Sequence, residues 1–121
     1  MNDVQTTVDT WLAAWTEPDE RRRQELVRQV WTEDGRLVDP PLVATGHDEL
    51  VAAGAGLQAQ FPGHTFRRTT AIDGHHELCR YGWELVGADG SIALSGTDVA
   101  VVAPGGRLQR VAGFFGDLSA A

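Results

Sequence analysis

The sequence predicts an α+β domain with its helices first and its sheet second. Two observations carry this. Apolar residues recur at helical spacing through the first half, and the second half divides at turn pairs into short runs rich in β-branched and apolar residues. Helices followed by a meander pack on one face of the sheet.

Val4, Val8, Trp11, Leu12 and Trp15 make one stripe and predict a first helix over 3–15. Pro18 suits the first turn of a second helix, whose buried stripe would be Leu26, Val27, Val30 and Trp31. Asp34-Gly35 turns the chain into a short strand, Arg36 to Asp39, stopped by Pro40-Pro41. A third helix is expected from near Thr45, with Asp48 and Glu49 in its positive first turn, ending at Pro62-Gly63. Leu50, Gly54, Leu57 and Phe61 share one of its faces, and the small Gly54 would let that face lie close to a sheet. Turns at Asp73-Gly74, Asp89-Gly90 and Gly105-Gly106 then separate four strands, 64–72, 76–87, 92–103 and 107–116. The run from Ile92 to Val102 is apolar on both faces except at Ser95, Thr97 and Asp98. One helical layer covers one face only, so the other is expected to meet a second copy in a homodimer.

With 121 residues, 42% of them hydrophobic and 22% charged, the chain has the size and composition of one soluble domain spanning 1–121. It lacks an apolar run of the ~18 residues needed to span a membrane, and its start does not read as a signal peptide. The single cysteine, Cys79, fits a reducing cytoplasm, and on an apolar strand it reads as packing. A formal charge of −7 argues against nucleic-acid partners. The one basic cluster, Arg21-Arg22-Arg23, lies among Glu17, Asp19, Glu20 and Glu25 and reads as a solvated helix face. His75 and His76 follow a turn, and as strand neighbours they would point to opposite faces, so no metal site is expected.

The order of these elements resembles the nuclear transport factor 2-like superfamily, which includes ketosteroid isomerases, SnoaL-like polyketide cyclases and limonene epoxide hydrolases. The matching pieces are WTEDGRLVDP from Trp31 to Pro40, Gly46 opening the third helix, Gly96-Thr97-Asp98-Val99, and GRLQRVAGFF from Gly106 to Phe115. The resemblance implies a cone-shaped roll, three helices wrapped by a strongly curved antiparallel sheet, with a pocket inside. It places Asp39 where the isomerases hold their general base, in an Asp-Pro pair ending the first strand. Asp98 stands nine residues before Arg107, where the isomerases keep a protonated Asp that donates to the developing oxyanion and the cyclases keep an acid or base. The isomerases' donor tyrosines fall at Trp15 and Gly54, and the Arg-x-Asp of the epoxide hydrolases would be Arg80-Tyr81-Gly82, without its carboxylate.

The same alignment turns Cys79, Tyr81, Trp83, Val111, Gly113 and Phe115 toward the pocket, with Trp15, Leu37 and Phe61 opposite them. Trp15 or Tyr81 would replace the missing donor. Asp39, before two prolines at a strand end, is expected to stay ionised, with a pKa near or only modestly above its ordinary value. Asp98, flanked on its face by Gly96, Ala100 and Val102, is expected to be raised by desolvation. Three readings stay open: an isomerase or cyclase of a hydrophobic carbonyl compound working without a cofactor, a binder of an apolar small molecule, and a dimeric interaction module.

Overall fold

In the computed structural model, which describes residues 3–121, the helices are α1 (Val4–Trp15), α2 (Glu20–Val30) and α3 (His47–Gln60). The strands are β1 (Trp31–Asp39), β2 (Leu42–Thr45), β3 (Thr65–Arg68), β4 (Asp73–His75), β5 (Leu78–Val86), β6 (Ile92–Val102) and β7 (Leu108–Phe115). They form one curved sheet in the order β2-β1-β7-β6-β5-β3, with β4 also on β5. The predicted α+β class holds, with differences in strand pairing. The sheet is mixed, because β1 runs parallel to β7 with Leu37 beside Val111 and Val38 beside Ala112.

Asp3 caps α1 by accepting from the Thr6 N–H at 2.7 Å, and Val8, Trp11, Leu12 and Trp15 are buried as their spacing predicts. Asp19, not Pro18, opens α2: its carboxylate accepts from the Arg22 N–H, so Pro18 lies one residue outside the cap. Trp31 leaves the helix with extended φ −113° and ψ 141° and starts β1, five residues earlier than expected. Its indole is fully buried, edge-on to Trp11 at 5.2 Å, so tertiary packing rather than helical phase decides its place. The Asp34-Gly35 pair is an irregularity within β1, not a turn before it.

Pro40-Pro41 does not end the sheet but forms the tip of a β1–β2 hairpin, in which Asp39 pairs with Leu42 and Arg36 with Thr45. Gly46 follows at φ 85°, a backbone conformation that favours glycine, and α3 begins at His47. Gly54 packs against other helices, not the sheet. A Cβ there would meet the Arg23 side chain at 2.8 Å and the Trp15 carbonyl at 3.2 Å.

Arg23 is itself a correction, being 4% exposed rather than part of a solvated basic face. Its Nε donates to the Val51 carbonyl at 3.1 Å and its Nη1 to the Glu17 carbonyl at 2.6 Å, tying α2 to α3 and to the α1–α2 loop. Arg21 and Arg22 remain exposed.

The strand expected over 64–72 ends at Arg68, and Asp73-Gly74 belongs to β4. The turn falls at His76-Glu77, where His76 takes φ 52°. That conformation removes the strand alternation, so the His75 and His76 rings converge, their Nδ1 atoms 3.1 Å apart. Among the described residues no group of three or more His, Cys, Asp or Glu is placed to hold a metal, and no helix is long and apolar enough to cross a membrane.

Candidate functional site

Register on the concave face of the sheet positions the acidic pair. Asp98 on β6 pairs with Tyr81 on β5 and with Gly113 on β7. Continuing the parallel β1–β7 register by one residue brings Asp39 to the other side of Gly113. The row is therefore Asp39, Gly113, Asp98, Tyr81 across four neighbouring strands, all on the face the helices cover.

Asp98 is 6% exposed. Tyr81 Oη donates to its Oδ2 and Trp83 Nε1 to its Oδ1, each at 2.9 Å. Burial is the stronger influence and raises its pKa to about 7, with the two donors and the nearby Asp39 charge acting in opposite directions. The expected direction is met, although the polar contacts come from β5 rather than from its own strand. Asp39 departs from expectation. Its Oδ1 is buried without a hydrogen-bond partner, and burial raises its pKa to about 6. Standing before Pro40 at a strand end did not keep it near its ordinary value, because the residue is half-buried.

The two carboxyls open into a cavity of about 440 Å³. Trp15, Leu37, Phe61, Trp83 and Phe115 line it. Cys79, Tyr81 and Val111, also expected there, lie beneath its wall, buried at 4%, 2% and 1% exposure. Cys79 packs in the core with a thiol pushed up by burial and by the Asp98 charge. Tyr81 reaches the site only through Asp98, and its phenol is held well above its ordinary pKa by burial and that same charge. The fixed indole donor of the site is Trp83, not Trp15. Gly54, at the position of the isomerases' second tyrosine, is sealed against Arg23 and does not reach the cavity.

Sequence reasoning missed Pro41, Leu42, Ala53, Gly56, Leu57, Gln60, Phe66 and Leu94 in the wall. Of these, Ala53, Gly56, Leu57 and Gln60 recur at helical spacing on α3, and that phase was the available signal. Aromatic rings run continuously along one side, Trp15 to Phe66 at 5.9 Å, Phe66 to Trp83 at 5.4 Å and Trp83 to Phe115 at 5.8 Å. No Lys, Arg or His lines the cavity among the described residues. Apolar walls converging on a few polar groups are the usual form of a small-molecule site.

No protein-family model and no curated protein matches the chain. Among solved structures it is similar to a proposed isomerase of the SnoaL-like family from Agrobacterium tumefaciens str. C58, at 37% identity and TM-score 0.88. That match covers 97% of this chain and 100% of the other. The chain belongs to the SnoaL-like family. Its fold is shared more distantly with a nuclear transport factor 2-like protein of unknown function from Exiguobacterium sp. 255-15 (17% identity, TM-score 0.72, 93% and 99% coverage). It is shared also with a proposed SnoaL-like polyketide cyclase from Jannaschia sp. CCS1 (16% identity, TM-score 0.69, 95% and 88% coverage). The mixed sheet and three helices of this SnoaL-like chain are the fold of that wider group, whose named members include proposed isomerases and cyclases.

Proposed function

We propose that this SnoaL-like protein is an isomerase or cyclase of an apolar carbonyl compound, working by the acid–base chemistry of Asp39 and Asp98 without a cofactor. The observation that carries the reading is the Asp39 carboxyl, which lines an apolar cavity beside a second carboxyl and has one oxygen, Oδ1, buried without a hydrogen-bond partner. A carboxylate short of hydrogen-bond donors is poised to accept a proton from a ligand. In the proposed step, the Asp39 carboxylate takes a proton from the carbon next to the carbonyl. The C–H bond breaks, its electron pair moves onto the carbonyl oxygen as an enolate, and neutral Asp98 donates a hydrogen bond to that oxygen while keeping its proton. Return of the proton to a different carbon completes an isomerisation, and attack of the enolate carbon on a second carbonyl completes a cyclisation. A second copy of the chain is proposed to cover the convex face of the sheet, where Val38, Val99 and Phe114 are 38%, 38% and 62% exposed.

The test is a screen of hydrophobic enones and polyketide-like aldehydes with the parent protein, Asp39→Asn and Asp98→Asn side by side. Asp39→Asn is expected to lower turnover by at least ~10²-fold while changing ligand affinity far less. Turnover that survives intact in Asp39→Asn sinks the mechanism. Binding of the same compounds with no turnover in any of the proteins would identify a binding protein instead.

A further inference from the structure

Gly113 lets the two carboxyls approach one another by having no side chain. It lies between Asp39 and Asp98 in one row of the sheet, and any Cβ there would project between them. An ideal Cβ on Gly113 would stand 2.0 Å from Asp39 Oδ1, 3.1 Å from Asp39 Cγ and 3.0 Å from Asp98 Oδ1. Both carboxyls thus fold over the bare Cα from opposite sides, and their Oδ1 atoms are at most about 5 Å apart. Water is largely excluded from both atoms' surroundings, and the cavity wall supplies no cation to either. Two anions held that close in an apolar pocket repel strongly, so the second ionisation is costly.

We propose that Asp39 and Asp98 act as one acid–base unit that holds a single proton between them, and that Gly113 is the positioning residue that brings them together. The inference rests on the acid–base reading of the site for its catalytic use. In the one-proton state Asp98 is the neutral member, since it is the more deeply buried, and Asp39 keeps the charge on its free oxygen. Taking a proton from a ligand then fills the unit with a second proton, and returning it restores the starting state. The other titratable groups around the pair are Cys79 and Tyr81 on β5, both shifted toward their neutral forms. From α1, α3, β2 and β3, the residues facing the cavity are Trp15, Ala53, Gly56, Leu57, Gln60, Leu42 and Phe66, none of which titrates, and Gly113 is β7's neighbour to the pair. Burial of both groups, with the Asp39 charge adding to the rise at Asp98, places the single-proton window near pH 6 to 7.

The experiment is a carbon-detected NMR titration of the side-chain carboxyls in the full chain, which needs no substrate. In the parent, the Asp39 and Asp98 signals should each respond to the other's ionisation and titrate in two linked steps. Asp39→Asn should lower the Asp98 midpoint by about one pH unit or more, by removing the neighbouring charge. Gly113→Ala should push the Asp39 carboxyl aside and also uncouple the two titrations, while the Tyr81–Asp98 hydrogen bond persists. If Gly113→Ala fails to fold, the double variant Asp39→Ala/Gly113→Ala should fold, because it removes the nearest clashing atoms. The proposal is overturned by an Asp98 midpoint indifferent to Asp39→Asn. It is equally overturned by unchanged coupling in Gly113→Ala, or by a double variant that does not recover folding. Linked titration in a protein that turns over no carbonyl compound would leave the unit standing and remove only the proposed reaction.

Discussion

Tyr81 Oη donates to Asp98 Oδ2 at 2.9 Å from the residue directly opposite it on the neighbouring strand. The bond is buried, and with the Trp83 indole it occupies both oxygens of the carboxyl. An indole N–H can only donate, so Trp83 always favours the oxygen that accepts, whereas the Tyr81 hydroxyl can reverse when Asp98 is protonated. The pair therefore serves both protonation states of Asp98, and does so more strongly for the anion.

Tyr81→Phe keeps the ring and removes the hydroxyl. Asp98 loses a donor to its charged form, so its pKa should rise further, and stability should fall by about 1–2 kcal/mol at pH 8 and by less at pH 5. Urea denaturation at the two pH values checks this, and a loss of equal size at both would count against it.

Both acidic groups are raised above their ordinary value of 3.8, so the folded state binds more protons than the unfolded chain between pH 4 and 7. Their contribution to stability is fully present below that unfolded value and is lost as pH rises through about 6 and about 7. Asp98→Asn removes the buried charge, while its amide can still accept from Trp83 and donate to Tyr81. The variant should be more stable than the parent at pH 8, by on the order of a few kcal/mol, and should lose that advantage near pH 4. Thermal melts across the range measure the difference.

Arg23 is expected to be the most consequential cation in the fold. Arg23→Ala leaves the Val51 and Glu17 carbonyls without their donor and opens space beside Gly54. It should cost about 2–4 kcal/mol, against less than about 0.5 kcal/mol for the exposed Arg21→Ala. Paired denaturation curves of the two variants test the contrast.

The convex face of the sheet supplies the remaining prediction. Val99→Glu together with Phe114→Glu places two charges on the exposed apolar strip without touching the core. The parent should sediment as a dimer at micromolar concentration and the double variant as a monomer of 13.1 kDa. A parent that is already monomeric removes the second copy from the proposal.

The helices and the last three strands were legible because their signals are local: the Trp11 and Trp15 stripe, and the Asp89-Gly90 and Gly105-Gly106 turns. Asp39 and Asp98 were legible only through resemblance, and the structure brings them together. What could not be read depended on distant parts of the chain. Trp31 left the helix because Trp11 and the sheet claimed its indole, and Arg23 was buried by carbonyls of Glu17 and Val51. The Asp73-Gly74 pair looked like a turn because Asp-Gly usually is one, yet His76 took the positive φ instead. The high pKa of Asp39 had no sequence signal, since it comes from what packs over the strand end.

The parallel seam between β1 and β7 has a kinetic consequence. Every other strand pair joins segments near one another along the chain, whereas this one closes a loop of roughly 70 residues, a slow and entropically costly event. Asp39 and Asp98 lie on opposite sides of that seam. The hairpins β5–β6 and β6–β7 can form early and carry Asp98, Tyr81 and Trp83 in place, but the acidic pair exists only after the seam zips shut. A ribosome-bound chain would thus complete its site only once β7, the last strand of the sheet, had emerged.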